Sequence, residues 1–162
     1  MKGLAMPSSI MPVVFYRDPF AALDWLERVF GLEMGLVVTD QEGRIGHAEL
    51  IWRGDAIGVG GEWAAPDLLG PASLKSPASL AGVGTQFLRL FLEDGVDAHC
   101  ERAKAAGARI IQEPATQFYG DRTYRALDLE GHVWNFAQKV AELSVAEMEE
   151  ASGLSFKPGA KA

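Results

Sequence analysis

The sequence predicts an α+β fold made of two βαβββ modules, and three observations carry that prediction. The segment FYRDPFAALDWLERVFG (Phe15 to Gly31) returns as FLEDGVDAHCERAKAAG (Phe91 to Gly107), with Phe15 matching Phe91, Asp18 Asp94, Ala22 Ala98 and Gly31 Gly107, all 76 residues apart. Farther on, GRIGHAELIWRGDAIG (Gly43 to Gly58) returns as GDRTYRALDLEGHVWN (Gly120 to Asn135), 77 residues apart. In each copy one helix-period segment is followed by short runs of period two. A repeat of one strand, one helix and three strands implies two modules facing each other across a shared cleft.

The elements follow in order. A short arm (Met1 to Ser9) leads into a strand at Met11 to Tyr16. Asp18 and Pro19 supply an N-cap and a proline at the first helical position. Phe20, Leu23, Leu26 and Phe30 recur at helical spacing, and Gly31 ends the helix. Strands are expected at Glu33 to Thr39, Arg44 to Trp52 and Ala56 to Gly60. The first module thus spans 10–61. Residues 62–84, rich in Gly, Pro, Ala and Ser, read as a linker in which Trp63 is the tryptophan placed to close over a ligand. The second module, 85–139, repeats the pattern: a strand at Gln86 to Glu93, a helix from Val96 to Ala106, then strands at Ala108 to Glu113, Asp121 to Asp128 and His132 to Gln138. The tail, 140–162, holds a short helix, SVAEMEEAS, with Ser144 and Glu147 at capping-box spacing and a frayed end beyond it.

Composition narrows the function. With 162 residues, 48% hydrophobic and 23% charged, the chain reads as one soluble domain with a core of its own. A net charge of −7 argues against nucleic acid as a partner. No apolar run approaches membrane-spanning length, and MKGLAMPSSIMP lacks the apolar core of a signal peptide. One cysteine, Cys100, excludes an intrachain disulfide, and its stripe of Val96, Cys100 and Ala103 reads as a buried thiol. The cytoplasm is the expected compartment.

The repeated βαβββ unit, the stretch YGDRTYRALDLEGHVWNF with its D-x-x-G-H-x-W turn, and the helix YRDPFAALDWLERVFGLE resemble the vicinal-oxygen-chelate superfamily of glyoxalases, bleomycin-resistance proteins and extradiol dioxygenases, and within it the PhnB-like branch. The resemblance covers about residues 10 to 139. It implies a curved sheet around a central cup and a homodimer. It also implies four quasi-equivalent places where metal-dependent members hold a divalent ion. Here these fall on Met11, Gly58, Phe87 (or Gln86) and Asn135, which offer no imidazole or carboxylate. No metal and no cofactor is therefore expected. GVGG at Gly58 to Gly61 lacks the Lys-Ser/Thr of a phosphate loop.

Strand alternation assigns the cup lining. In module one Ala56, Gly58 and Gly60 face the cup with His47 and Glu49 and with Met11, Val13 and Phe15, while Ala48, Leu50, Trp52, Ile57 and Val59 face the helix. In module two Phe87, Arg89 and Phe91 face the cup with Val133, Asn135 and Ala137. A tight turn at Leu129 and Glu130 pairs Tyr124 with Asn135 and Arg122 with Ala137, bringing both into the cup and leaving Arg125 on the helix side. The candidate ligand-binding residues are thus His47, Glu49, Phe87, Arg89, Arg122, Tyr124 and Asn135. His47 reads equally as a structural histidine, and Glu49 equally as the partner of an inward arginine.

Two functions remain. The first is a metal-free protein that sequesters a small anionic or aromatic ligand, the arginines suggesting an acidic group. The second is a lyase, isomerase or dioxygenase of the same superfamily with a non-standard site, His47 and Glu49 being the catalytic candidates.

Overall fold

A computed structural model of the chain describes residues 9–63, 73–157 and 159. The expected N-terminal arm, apart from Ser9, and residues 64–72 of the expected linker lie outside them. In chain order the elements are β1 (Val13–Tyr16), α1 (Pro19–Phe30), β2 (Glu33–Thr39), β3 (Ile45–Trp52), β4 (Asp55–Gly61), β5 (Phe87–Leu92), α2 (Val96–Ala105), β6 (Arg109–Thr116), β7 (Asp121–Leu127), β8 (Val133–Lys139) and α3 (Val145–Ser152). The strands form two four-stranded sheets with the same order, β1-β4-β3-β2 and β5-β8-β7-β6, the first pair of each being parallel. This is the expected pair of βαβββ modules. Among the described residues no helix is long and apolar enough to cross a membrane.

Local chemistry places the helices where expected. The Asp18 carboxylate accepts from Ala21 N at 3.0 Å at the start of α1, and Gly31 closes it in the left-handed region. Ser144 and Glu147 form a full capping box on α3.

One face of each sheet feeds a single hydrophobic cluster. Val14, Tyr16, Ala48, Leu50, Ile57 and Val59 contribute from the first sheet, and Leu88, Leu90, Tyr124, Ala126, Trp134 and Phe136 from the second. Phe30 of α1 joins them, 5.6 Å from the Trp134 ring and 4.9 Å from Phe136, and Trp52 lies 5.8 Å from Phe136. The helix-side faces of both modules are thus consumed in one core. The opposite faces stay open, with Phe87 54% and Phe91 50% exposed.

The turns set the register. Between β3 and β4 the turn residues are Arg53 (φ 51°) and Gly54 (φ 93°), a two-residue turn with both residues left-handed. Between β7 and β8 the loop is Leu129-Glu130-Gly131, with Asp128 N donating to His132 O at 3.0 Å and Gly131 at φ 92°. The second turn is one residue longer. Equivalent residues are therefore 76 apart through β7 and 77 apart only from β8 onward.

This corrects the expected pairing. Tyr124 lies opposite Phe136, Arg122 opposite Gln138 and Arg125 opposite Asn135. A one-residue slip inverts every side chain on a strand. Tyr124 and Arg122 face the helix, not the cup, and Arg125 faces outward.

The same turn locks the modules together. The buried Asp128 carboxylate accepts from Tyr16 OH at 2.6 Å and Trp134 Nε1 at 3.0 Å, and from Glu130 N and His132 N at 3.0 Å each. The Glu130 carboxylate accepts from Arg17 N at 2.8 Å and Asp18 N at 2.9 Å, and His132 Nε2 donates to Phe15 O at 2.8 Å. Burial, reinforced by the Asp128 charge, pushes the Tyr16 hydroxyl well above its ordinary value and keeps it a donor. Asp128→Asn turns an amide N–H toward the indole N–H, which can only donate. It is expected to cost about 2–3 kcal/mol in urea unfolding, whereas Glu130→Gln, at a more exposed site, costs less than about 1 kcal/mol.

Candidate ligand-binding faces

On the open face of the first sheet, His47 Nε2 lies 3.0 Å from Glu49 Oε1, with the side chains 36% and 24% exposed. They share this face because they are two apart on β3. Register puts Gly58 beside Val13 and Gly60 beside Phe15. A Cβ at Gly58 would sit 2.9 Å from Val13 Cγ2, and one at Gly60 3.2 Å from the Phe15 ring. The bare backbone of β4 therefore lets β1 lay its side chains across it, which accounts for GVGG. Trp63 packs edge-on to Phe15 at 6.0 Å and is tied by backbone bonds to Leu74.

On the open face of the second sheet, register aligns Phe87 with Val133, Arg89 with Asn135 and Phe91 with Ala137, which puts the six on one face. Arg89 donates to Asp121 Oδ2 at 2.6 Å, and its guanidinium carbon lies 5.1 Å from the Phe91 ring centre and 5.3 Å from that of Tyr119. Lys139 Nζ stands 4.0 Å from the other Asp121 oxygen. Asn135 is buried and its Nδ2 donates to Tyr124 O at 3.4 Å. Arg125, exposed, stands over the Phe87 ring at 5.8 Å.

Two expected site residues belong elsewhere. Arg122 holds the Asp97 carboxylate bidentately on the first turn of α2, with both N–O distances 2.7 Å, which keeps Asp97 below and Arg122 above their ordinary values. Tyr124 is fully buried, and its hydroxyl lies 2.6 Å from His99 Nδ1. His99 Nε2 lies 2.9 Å from Phe30 O. A carbonyl only accepts, so Nε2 carries the proton and Nδ1 accepts from Tyr124. The neutral imidazole is thus satisfied on both sides, and burial lowers its proton affinity. The Cys100 thiol, next on the same stripe, is pushed up to about 11 by burial, in keeping with an inert thiol.

The remaining candidates fall into separate groups. His47–Glu49 and Arg89–Asp121 share no hydrogen bond or ion pair. A cavity of about 710 Å³ opens at the seam where Trp52 and Arg53 approach β5; Phe87, Arg89 and Phe91 line it, but His47, Glu49 and Asn135 do not. Trp52 Nε1 donates to Phe91 O at 3.0 Å there, and Arg53 pairs with Glu93.

The places implied for a divalent ion do not fit one. Gly58 has no side chain and is covered by Val13, Phe87 has no donor atom, and Asn135 would offer only one neutral amide oxygen. Among the described residues no three His, Cys, Asp or Glu side chains cluster to hold a metal.

The family profile of the glyoxalase/bleomycin resistance protein/dioxygenase superfamily matches residues 9–136. The chain belongs to this superfamily. It is 30% identical over 144 residues to an uncharacterized protein of Mycobacterium bovis, covering 88% of this chain and 91% of that one. Its fold is similar to the crystal structure of TioX from Micromonospora sp. ML1, with TM-score 0.62, 32% identity and coverage of 82% and 99% of the two chains. A superfamily member from Nocardioides shares the fold at TM-score 0.60 and 16% identity, covering 88% of this chain and 93% of that one.

Two measurements follow. His99 has a depressed proton affinity when folded, so the unfolded chain takes up a proton first, near 6.5. Stability should hold above that pH and fall below it by up to about 1.4 kcal/mol per pH unit. His99→Gln should flatten this stretch in denaturant melts from pH 7 to about pH 5. Gly58→Ala should cost about 1–2 kcal/mol through its clash with Val13. Combining it with Val13→Ala should be non-additive by about 1 kcal/mol.

Proposed function

We propose that this superfamily member is a metal-free binding protein that sequesters a small anionic or aromatic molecule in the cytoplasm. The observation that carries the reading is the open face of the second sheet: two half-exposed phenylalanines flank Arg89, whose guanidinium Asp121 holds against aromatic rings. An apolar surface with a few fixed polar groups is the usual make-up of a small-molecule site. The misfit of the metal positions supports binding over metal chemistry. The D-x-x-G-H-x-W turn, here the lock between modules, supports a place in the PhnB-like branch.

The protein acts as a homodimer in which a second copy completes the cup. The helix-side faces are spent in the core of one chain, which supports a second chain as the wall opposite each open face. Every residue of β2 is exposed, including Leu36, Val37 and Val38, which supports such a contact.

A second reading is favoured by one observation, the 3.0 Å His47–Glu49 contact on the other open face. Such a pair can move a proton in lyase or isomerase chemistry.

The readings separate by measurement. After exposure to divalent ions and gel filtration, elemental analysis should find well below one metal per chain, and light scattering twice the chain mass. Native mass spectra should show a copurified small molecule. Stoichiometric metal would sink the metal-free reading. Turnover in glyoxalase, glutathione-transfer or ring-cleavage assays, lost in His47→Ala, would establish the second.

A further inference from the structure

We propose that Arg109 and Arg125 form a subsite for the acidic group of an apolar-bodied small molecule, seated on the open face of the second sheet. This rests on the ligand-binding reading and adds to it the chemical class of the ligand and the residues that select it.

Register places the parts. Arg109, Leu127, Val133 and Phe87 lie in one row across the sheet, and Gln112, Arg125, Asn135 and Arg89 in the next. Arg109 and Arg125 are therefore diagonal neighbours on one face, their backbones about 7–8 Å apart. Both side chains are exposed.

The first row forms a wall of a recess of about 530 Å³, in which Phe87, Leu127 and Val133 supply the apolar surface and Arg109 the charge. Gly82, Gly84, Thr85 and Gln86, at the end of the linker and the start of the second module, bound its other side. That size suits a small organic molecule. Arg125, outside the recess lining, stands over the ring of Phe87, which is part of that lining.

Neither arginine has a carboxylate partner among the described residues, whereas the other basic groups on the open faces are taken, Arg89 and Lys139 by Asp121 and His47 by Glu49. Two unneutralised planar forks beside an apolar surface suit a carboxylate on an aromatic or aliphatic body. The repeat argues against a structural origin for these charges. Their equivalents 76 residues earlier are Glu33 and Glu49, so the fold accepts either sign at both positions. Module two alone offers this pair to an anion.

The probes are 2-naphthoate and its neutral isostere 2-naphthamide, titrated by NMR against the full chain. Naphthoate should shift the Leu127 and Val133 methyls and bind about tenfold tighter than the amide, a preference that added salt narrows. Arg109→Gln and Arg125→Gln, both at exposed positions, should each weaken naphthoate about five- to tenfold while leaving naphthamide unchanged. Arg125→Lys should keep part of the preference. Equal binding of acid and amide at these methyls, or variants that weaken both alike, would overturn the subsite and leave the ligand-binding reading standing. If neither probe binds, the subsite falls, and the ligand-binding reading is judged by the copurified molecule alone.

Discussion

The carboxylate of Asp128 is the contact on which the arrangement of this protein depends. Four donors converge on it: a hydroxyl from β1, an indole from β8 and two amides of its own loop. A buried carboxylate is tolerated where donors replace the lost water, and here they come from both modules. The contact does three things at once. It fixes a three-residue loop, it sets the β7–β8 register, and through Tyr16, with Glu130 and His132 beside it, it seats the second module against the β1–α1 junction of the first. Which side chains of β7 face outward is therefore decided in a turn remote from most of them.

That dependence explains what the sequence could and could not disclose. The fold, the helix caps and the strand faces of module one were legible because a repeat and a period-two pattern are local signals. In module one the apolar alternation of the two strands alone set their faces, and the two-residue turn at Arg53 and Gly54 agrees with it. In module two the extra loop residue shifts the repeat offset from 76 to 77 after β7. Matching Gly43 with Gly120 places that shift too early, before β7. The clue was Arg125, which the mistaken pairing left on the core side, where a cation is costly. Moving the pairing by one residue sends Arg125 to solvent and Tyr124 to the core, and removes the conflict. Tyr124's partner His99 had no such clue. The contact depends on how α2 docks across the sheet, and nothing in the spacing of the two residues expresses that.

The two copies have diverged in charge mainly on one face. Their helix-side faces stay largely apolar because both feed the same core, Arg122 against Gly46 being the exception. Their open faces differ at equivalent places: His47 against Thr123, Glu49 against Arg125, Gly58 against Asn135, Glu33 against Arg109. A side chain outside the core is free to change sign without disturbing the packing, so the pseudosymmetric frame supports two chemically distinct surfaces. One is acidic with an imidazole and the other is basic with exposed rings. A ligand complementary to one is repelled by the other.

On the second face, shape and charge come from different arginines. Asp121 offsets the charge of Arg89 and pins its guanidinium against Phe91 and Tyr119. What Arg89 then presents is a flat, stacked plane already ordered before a ligand arrives, which reduces the side-chain entropy lost on binding. Among the described residues no carboxylate pairs with Arg109 or Arg125, so their charge is not offset. A planar acid would thus meet a rigid surface with Arg89 and the phenylalanine rings, and an attractive field from Arg125 in the same row and Arg109 in the next. The same logic makes His47 and Glu49 a poor anchor for that ligand, since their hydrogen bond satisfies each with the other and leaves Glu49's negative charge in place.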